Sequence, residues 1–370
     1  MDFEFHTASV ARCFRNCKKL ETWYRALISK FPPSCTNAEE CFAGSGITGI
    51  FAKNTMSIGE GITMGLTNTN SMFADTGING SISENLWEYL PNLLTCERMF
   101  ANTNLNYIDN DFFKGCTNLT NVDYMFSGCK SLTAVVDADL DTTEQPLHSK
   151  NFFIDLIQAN SQHSATTTSG TSSVKNPSYI YPFCVFKDTG IKMTVDVDDN
   201  GRPYLFHTAK DYREKTKNES GMLLNNYLYD GIDLIYEPDT VIGTSSLFEP
   251  GTRGDYFVPY FVSISSPFTE CSIKIDLSKI NGEYFLSNTY LKTLEAPFNG
   301  MTLTGTLAEF LNYSNSLTTI SYLFKGVTAD FGDDIYEFTT NFFGKCTALI
   351  NISNIFADCT IPMKLCSNMF

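Results

Sequence analysis

Asp196, Asp198 and Asn200, followed by Gly201, carry the alternating oxygen donors and the glycine turn of the first half of a calcium-binding loop. The twelfth position of such a loop supplies a bidentate Glu, and here it is His207. A β-hairpin closed by Asn200-Gly201 between IKMTVDV and RPYLFHT accounts for the same residues without an ion. The hairpin is the preferred reading, calcium is its alternative, and no other cofactor is expected. Arg253-Gly254-Asp255 spells an integrin-type tripeptide, but the glycines around it already demand a turn. Asp137, Asp139, Asp141 and Glu144 read as a solvated edge rather than a cation site. With 41 acidic residues no carboxylate pair is singled out by spacing. Phosphate loops, nucleophile elbows and dinucleotide fingerprints are all missing from the sequence, so no catalytic residue is nominated and an enzyme is not expected.

The strongest pattern is a repeat rather than a constellation. FFKGCTNLTNVDYMFSGCKSL at 112–132 returns as FFGKCTALINISNIFADCTI at 342–361. Phe113, Cys116, Leu119, Val122, Phe126 and Cys129 thereby fall on Phe343, Cys346, Leu349, Ile352, Phe356 and Cys359. Upstream, Leu86, Glu88 and Leu90 fall on Leu307, Glu309 and Leu311, which extends the duplicated module to about 50 residues. Weaker echoes begin at Phe14, Phe42 and Phe73. Units that cannot bury their own apolar face must stack on their neighbours. Cysteines recur three residues after an aromatic, at Cys17, Cys116, Cys129, Cys346 and Cys359, where a small soft side chain fills a repeated core slot. Disulfides and metal are the lesser readings of the twelve cysteines, since no Cys-x-x-Cys pair exists and there are four histidines.

MFSGCKSL preceded by FFKGCTNL, with apolar residues every third position, resembles the BspA-like leucine-rich repeat. That resemblance implies a solenoid of short strands and turns or short helices, used on surfaces for adhesion. The units at 112–132 and 342–361 carry it well, residues 1–80 carry it weakly, and about 141–285 do not carry it.

The elements follow from this. Residues 1–140 are expected to form a first repeat array, with degenerate units over 1–80 and well-formed units over 79–140. Leu20 to Ile28 suggest a helical turn ended at Pro32-Pro33. Residues 141–177 read as a flexible Ser/Thr-rich linker. Residues 178–267 are rich in β-branched and aromatic runs, from YIYPFCVF to DYFVPYFVSI, and read as an inserted β-rich domain. Residues 268–370 resume the repeats as a second array that possesses no evident stop. The fold class expected is α+β and β-rich: irregular leucine-rich-repeat solenoid arrays with an inserted β-rich domain.

A formal net charge of −15 with scattered Lys and Arg argues against nucleic acid and against an anionic membrane bound through a basic surface. No segment is apolar enough to span a bilayer, and MDFEFHTASVARCF lacks the pattern of a secretory signal. The expected function is a non-enzymatic structural or interaction protein, favoured as a phage virion component of tail or capsid accessory type. It would work in a multimeric assembly with other protein subunits, or against a glycan or cell-surface receptor. A bacterial cell-surface adhesin is the first alternative, and a glycan-processing enzyme with its site in 178–267 the second.

Overall fold

The computed structural model describes residues 5–22, 24–51, 55–82, 86–109, 112, 118–136, 144–145, 147–148, 184–194, 208–209, 222–224, 233–235, 252–253, 256–257, 261–266, 274–276, 291–304, 311, 314–330, 343 and 346–360. The chain forms two compact units, Met1–Leu147 with Asp155–Lys192, and His148–Ile154 with Met193–Phe370.

The first unit is a β-solenoid. Strands β1 (Thr48–Phe51), β2 (Gly77–Ile82), β3 (Asn104–Asp109) and β4 (Ala134–Val136) lie parallel and side by side, and β5 (Glu144–Gln145) closes the edge antiparallel to β4. Parallel neighbours require a long return, and here each return is one coil of the solenoid. Two returns carry short helices, α1 (Tyr24–Ile28) ahead of the Pro32-Pro33 stop and α2 (Leu86–Tyr89).

Each coil places the same residue kind in the same slot. Phe14, Phe42, Phe73, Phe100, Phe126 and Phe186 stack ring on ring, with centroids 5.5 to 5.9 Å apart and planes within 10° of parallel. The first five recur at intervals of 28, 31, 27 and 26 residues, so one coil is about half of the expected 50-residue module. Phe42 and Phe73 are full rungs of this ladder rather than faint copies, and Phe14 is its half-exposed first rung. Except at Phe14, where the preceding Cys13 is exposed, the residue before each ring forms a second buried column, Cys41, Met72, Met99, Met125 and Val185. Ile47, Ile78, Leu105 and Leu132, five or six positions after each ring, form a third. Burying such side chains contributes about 1.5–3 kcal/mol apiece, and the columns make that gain repeat with every coil.

The corner holding each phenylalanine is built from two left-handed residues four positions apart. In the first unit the pairs are Arg12 and Asn16, Glu40 and Gly44, Ser71 and Asp75, Arg98 and Asn102, Tyr124 and Gly128, Cys184 and Asp188. The second member is always Asn, Asp or Gly, which tolerate this backbone. The first member is of any type, so a non-glycine residue accepts a cost of about 1–2 kcal/mol there. What offsets it is a ladder: the N–H groups of Glu40, Phe42 and Gly44 donate to the carbonyls of Asn70, Met72 and Ala74 one coil on, at 2.8 to 2.9 Å. The same three-step pattern joins Ser71, Phe73 and Asp75 to Glu97, Met99 and Ala101. Other amides of each coil point the opposite way. Those of Thr36 and Asn37 share the Ala8 carbonyl, those of Thr67 and Asn68 share Thr36, and Gly46 and Gly77 donate back to Cys17 and Ile47.

In the second unit, Met222–Leu224, Phe261–Ser265, Thr293–Glu295, Thr319–Ser321 and Asn351–Ser353 form a parallel sheet in that order. Lys274–Asp276, Thr302–Thr304 and Thr328–Asp330 form a second parallel ladder. Phe298, Phe324 and Phe356 stack as in the first unit, 6.1 and 5.7 Å apart. Left-handed pairs recur at Ala296 and Gly300, Tyr322 and Gly326, Asn354 and Asp358.

The expected boundaries and the two units divide the chain differently. Cys184 to Asp188 form a corner rather than part of the expected strand YIYPFCVF, and Phe186 stacks 5.6 Å from Phe126. Farther along the stretch 178–267, Met222–Leu224 and Phe261–Ser265 pair within the sheet of the second unit.

Candidate interaction surface

The positions singled out from the sequence are mostly interior. Leu119, Phe126 and Cys129 are buried, as are Phe343 and Cys346, whereas Leu349, Phe356 and Cys359 are partly covered. Cys17 is exposed, unlike the core slot expected of it, because it lies on the first rung of the stack. Its counterparts Ser45, Thr76, Thr103 and Cys129 are buried. Thr76 and Thr103 satisfy their hydroxyls on the carbonyls of Phe73 and Phe100, at 2.7 and 2.8 Å. Cys129 Sγ lies 3.0 Å from the Phe100 carbonyl. Phe113, Cys116, Asp196, Asp198 and Asn200 lie outside the described residues. Of the Arg-Gly-Asp string, Arg253 pairs antiparallel with Tyr256. Among the described residues no group of three or more His, Cys, Asp or Glu could hold a metal ion, and no helix is long and apolar enough to cross a membrane.

Cys13, Cys17, Cys35, Cys41, Cys129, Cys346 and Cys359 are free thiols. Burial pushes Cys41 and Cys129 upward, and pushes Cys346 up to about 11. Below pH 9 the Cys346 thiol is protonated folded and unfolded alike. Between pH 9 and about 11 only the unfolded chain ionises it, so stability falls with rising pH across that window, on the order of 2 kcal/mol for this group. Urea titrations at pH 8 and pH 10.5 are expected to show this loss, and Cys346→Val is expected to reduce it.

The outward surface with the most regular chemistry precedes each corner. In the second unit the register aligns Ser263, Thr293, Thr319 and Asn351 in one rank, and Ser265, Glu295, Ser321 and Ser353 in another. Between the ranks, Leu294 and Ile320 are buried, so the alternation of a strand sends the flanking polar residues outward. All eight polar residues are at least partly exposed. Ser265 Oγ donates to Glu295 Oε2 at 3.2 Å, the one side-chain hydrogen bond within the two ranks among the described residues.

The corresponding face of the first unit closes on itself. Ser9, Asn37, Asn68, Thr95 and Asn121 form its first rank through successive parallel bridges. Asn37, Asn68 and Asn121 each accept at Oδ1 from the amide two residues on, at 2.9 Å. Thr95 Oγ1 donates to Asn70 Oδ1 at 2.6 Å, and Asn121 Nδ2 donates to Glu97 Oε2 at 3.3 Å. These side-chain atoms are thus engaged by the coil and its neighbours. The sequence reading did not separate these faces. The signal was present as the triplets SIS, TLE, TIS and NIS, each ending three residues before a phenylalanine.

Comparison with protein families, with curated proteins and with solved structures finds no match for the chain.

Proposed function

We propose that the chain is a non-enzymatic structural and interaction protein that works through the lateral faces of its coils, as a subunit of a larger assembly such as a phage tail or capsid accessory structure. The observation that carries this reading is the packed interior. Phenylalanine rungs and aliphatic columns occupy the inside of the stack, so each added coil contributes surface in register with the last. The resemblance of 112–132 and 342–361 to BspA-like repeats supports the same use. Mass measurement of the native particle by light scattering, with polypeptide mass by mass spectrometry, tests it. A symmetric multimer of defined copy number is the expected result. A monomer of 41.3 kDa would instead favour a cell-surface adhesin.

A further inference from the structure

We propose that the outward sheet face of the second unit, made by the ranks Ser263-Thr293-Thr319-Asn351 and Ser265-Glu295-Ser321-Ser353, binds an uncharged polysaccharide laid along the stack of strands. The proposal deepens the reading of the chain as an interaction protein and rests on it. Successive strands place hydroxyls about 4.8 Å apart, and alternate residues along one strand are about 6.7 Å apart, which makes a flat grid of donors and acceptors. Hydroxyl groups both donate and accept, so the grid matches a ligand whose own hydroxyls do the same and recur along its length.

Charge selects among the occupants. Seven of the eight positions are neutral, and the eighth is a carboxylate on a protein of net charge −15, which disfavours nucleic acid and sulfated or acidic glycans. A protein partner would need aromatic or aliphatic anchors seated at the centre of the contact, and serine is depleted at such interfaces. The centre of this face is Thr293, Thr319 and Ser321. At its border Tyr322 follows Ser321, half-buried, with Lys325 Nζ 5.4 Å from its ring centre. The first unit provides the internal contrast, since there the same positions hydrogen-bond to one another and offer less to a ligand.

The test is co-sedimentation of the full chain with insoluble neutral polysaccharides, namely a β-glucan, a mannan and chitin, beside a sulfated polysaccharide. Wild type is expected to be retained on at least one neutral polymer and not on the sulfated one. Thr293→Ala/Thr319→Ala/Ser321→Ala is expected to lower retention at least tenfold, while Thr48→Ala/Ser81→Ala on the first unit leaves it unchanged. Thr319→Glu, a single change at a half-exposed position, is expected to lose binding as well and guards against misfolding of the triple variant; thermal melts confirm that each protein is folded. Failure of folded wild type to bind any neutral polymer, equal retention of the face variants, or preference for the sulfated polymer would overturn the proposal. Release of soluble sugar from a bound polymer would support the face while overturning the non-enzymatic reading on which it rests.

Discussion

Phe100→Ala is expected to lower the free energy of unfolding by about 4 kcal/mol, within the range for emptying a fully buried aromatic site. Phe100 is stacked between Phe73 and Phe126, with centroids 5.7 and 5.9 Å away, and Phe51 meets its edge at 5.2 Å. No other ring can move into the vacancy without leaving its own rung, because Met99 and Leu105 on either side belong to columns of their own. The loss therefore includes the stacking on both faces and the cavity left behind. Phe14→Ala, at a half-exposed rung with a stacked neighbour on one side, is expected to cost about half as much. Urea unfolding followed by the fluorescence of Trp87, buried with its indole N–H donating to the Phe112 carbonyl, would separate the two variants. Equal losses from Phe14→Ala and Phe100→Ala would contradict a coil-by-coil core.

The second large effect is expected at Gly46. A Cβ placed there would lie 2.0 Å from the carbonyl oxygen of Lys18 and 2.8 Å from its carbon. The obstruction is backbone of the preceding coil, held close by the Gly46 N–H bond to the Cys17 carbonyl at 3.1 Å. A flexible side chain could swing aside, but this carbonyl cannot move unless the first coil lifts. Gly46→Ala is thus expected to cost about 3 kcal/mol, at the upper end for overpacking. The cost falls on the contact between the first coil and the second. Its signature is local: Cys41, fully buried under the first coil, becomes reactive toward a thiol reagent at pH 8, while Cys129 stays protected. Alkylation followed by peptide mapping reads both sites. Protection of both cysteines together with unchanged stability would show that the close approach of Gly46 to Lys18 is not a constraint.

These two sites mark what the sequence made legible and what it did not. Phe126, Cys129 and their partners Phe356 and Cys359 were readable because side chains stacked in one slot must be similar, and similarity at fixed spacing survives in a string of letters. The coil length was harder to read. The corner is specified by backbone geometry, and its first left-handed residue can be Arg12, Glu40, Ser71 or Tyr124, so no residue type announces it. Phe186 was hidden differently, since sixty positions separate it from Phe126 in the chain although the rings are 5.6 Å apart. The hydroxyl ranks escaped for a third reason. Ser, Thr and Asn are ordinary surface residues, and only the strand register turns four short triplets into an aligned grid.

The opposed directions of the amide bonds between coils have an electrostatic consequence. In the second coil of the first unit, the amides of Ala38, Glu40, Phe42 and Gly44 point forward along the stack, and those of Thr36, Asn37, Gly46 and Thr48 point back. In the next coil Met64, Thr69, Ser71, Phe73 and Asp75 point forward, and Gly65, Thr67, Asn68 and Gly77 point back. Peptide dipoles aligned head to tail along an α-helix add up to about half a charge at each end. In these two coils the two directions oppose one another, so the peptide dipoles do not all add along the stack as they do along an α-helix.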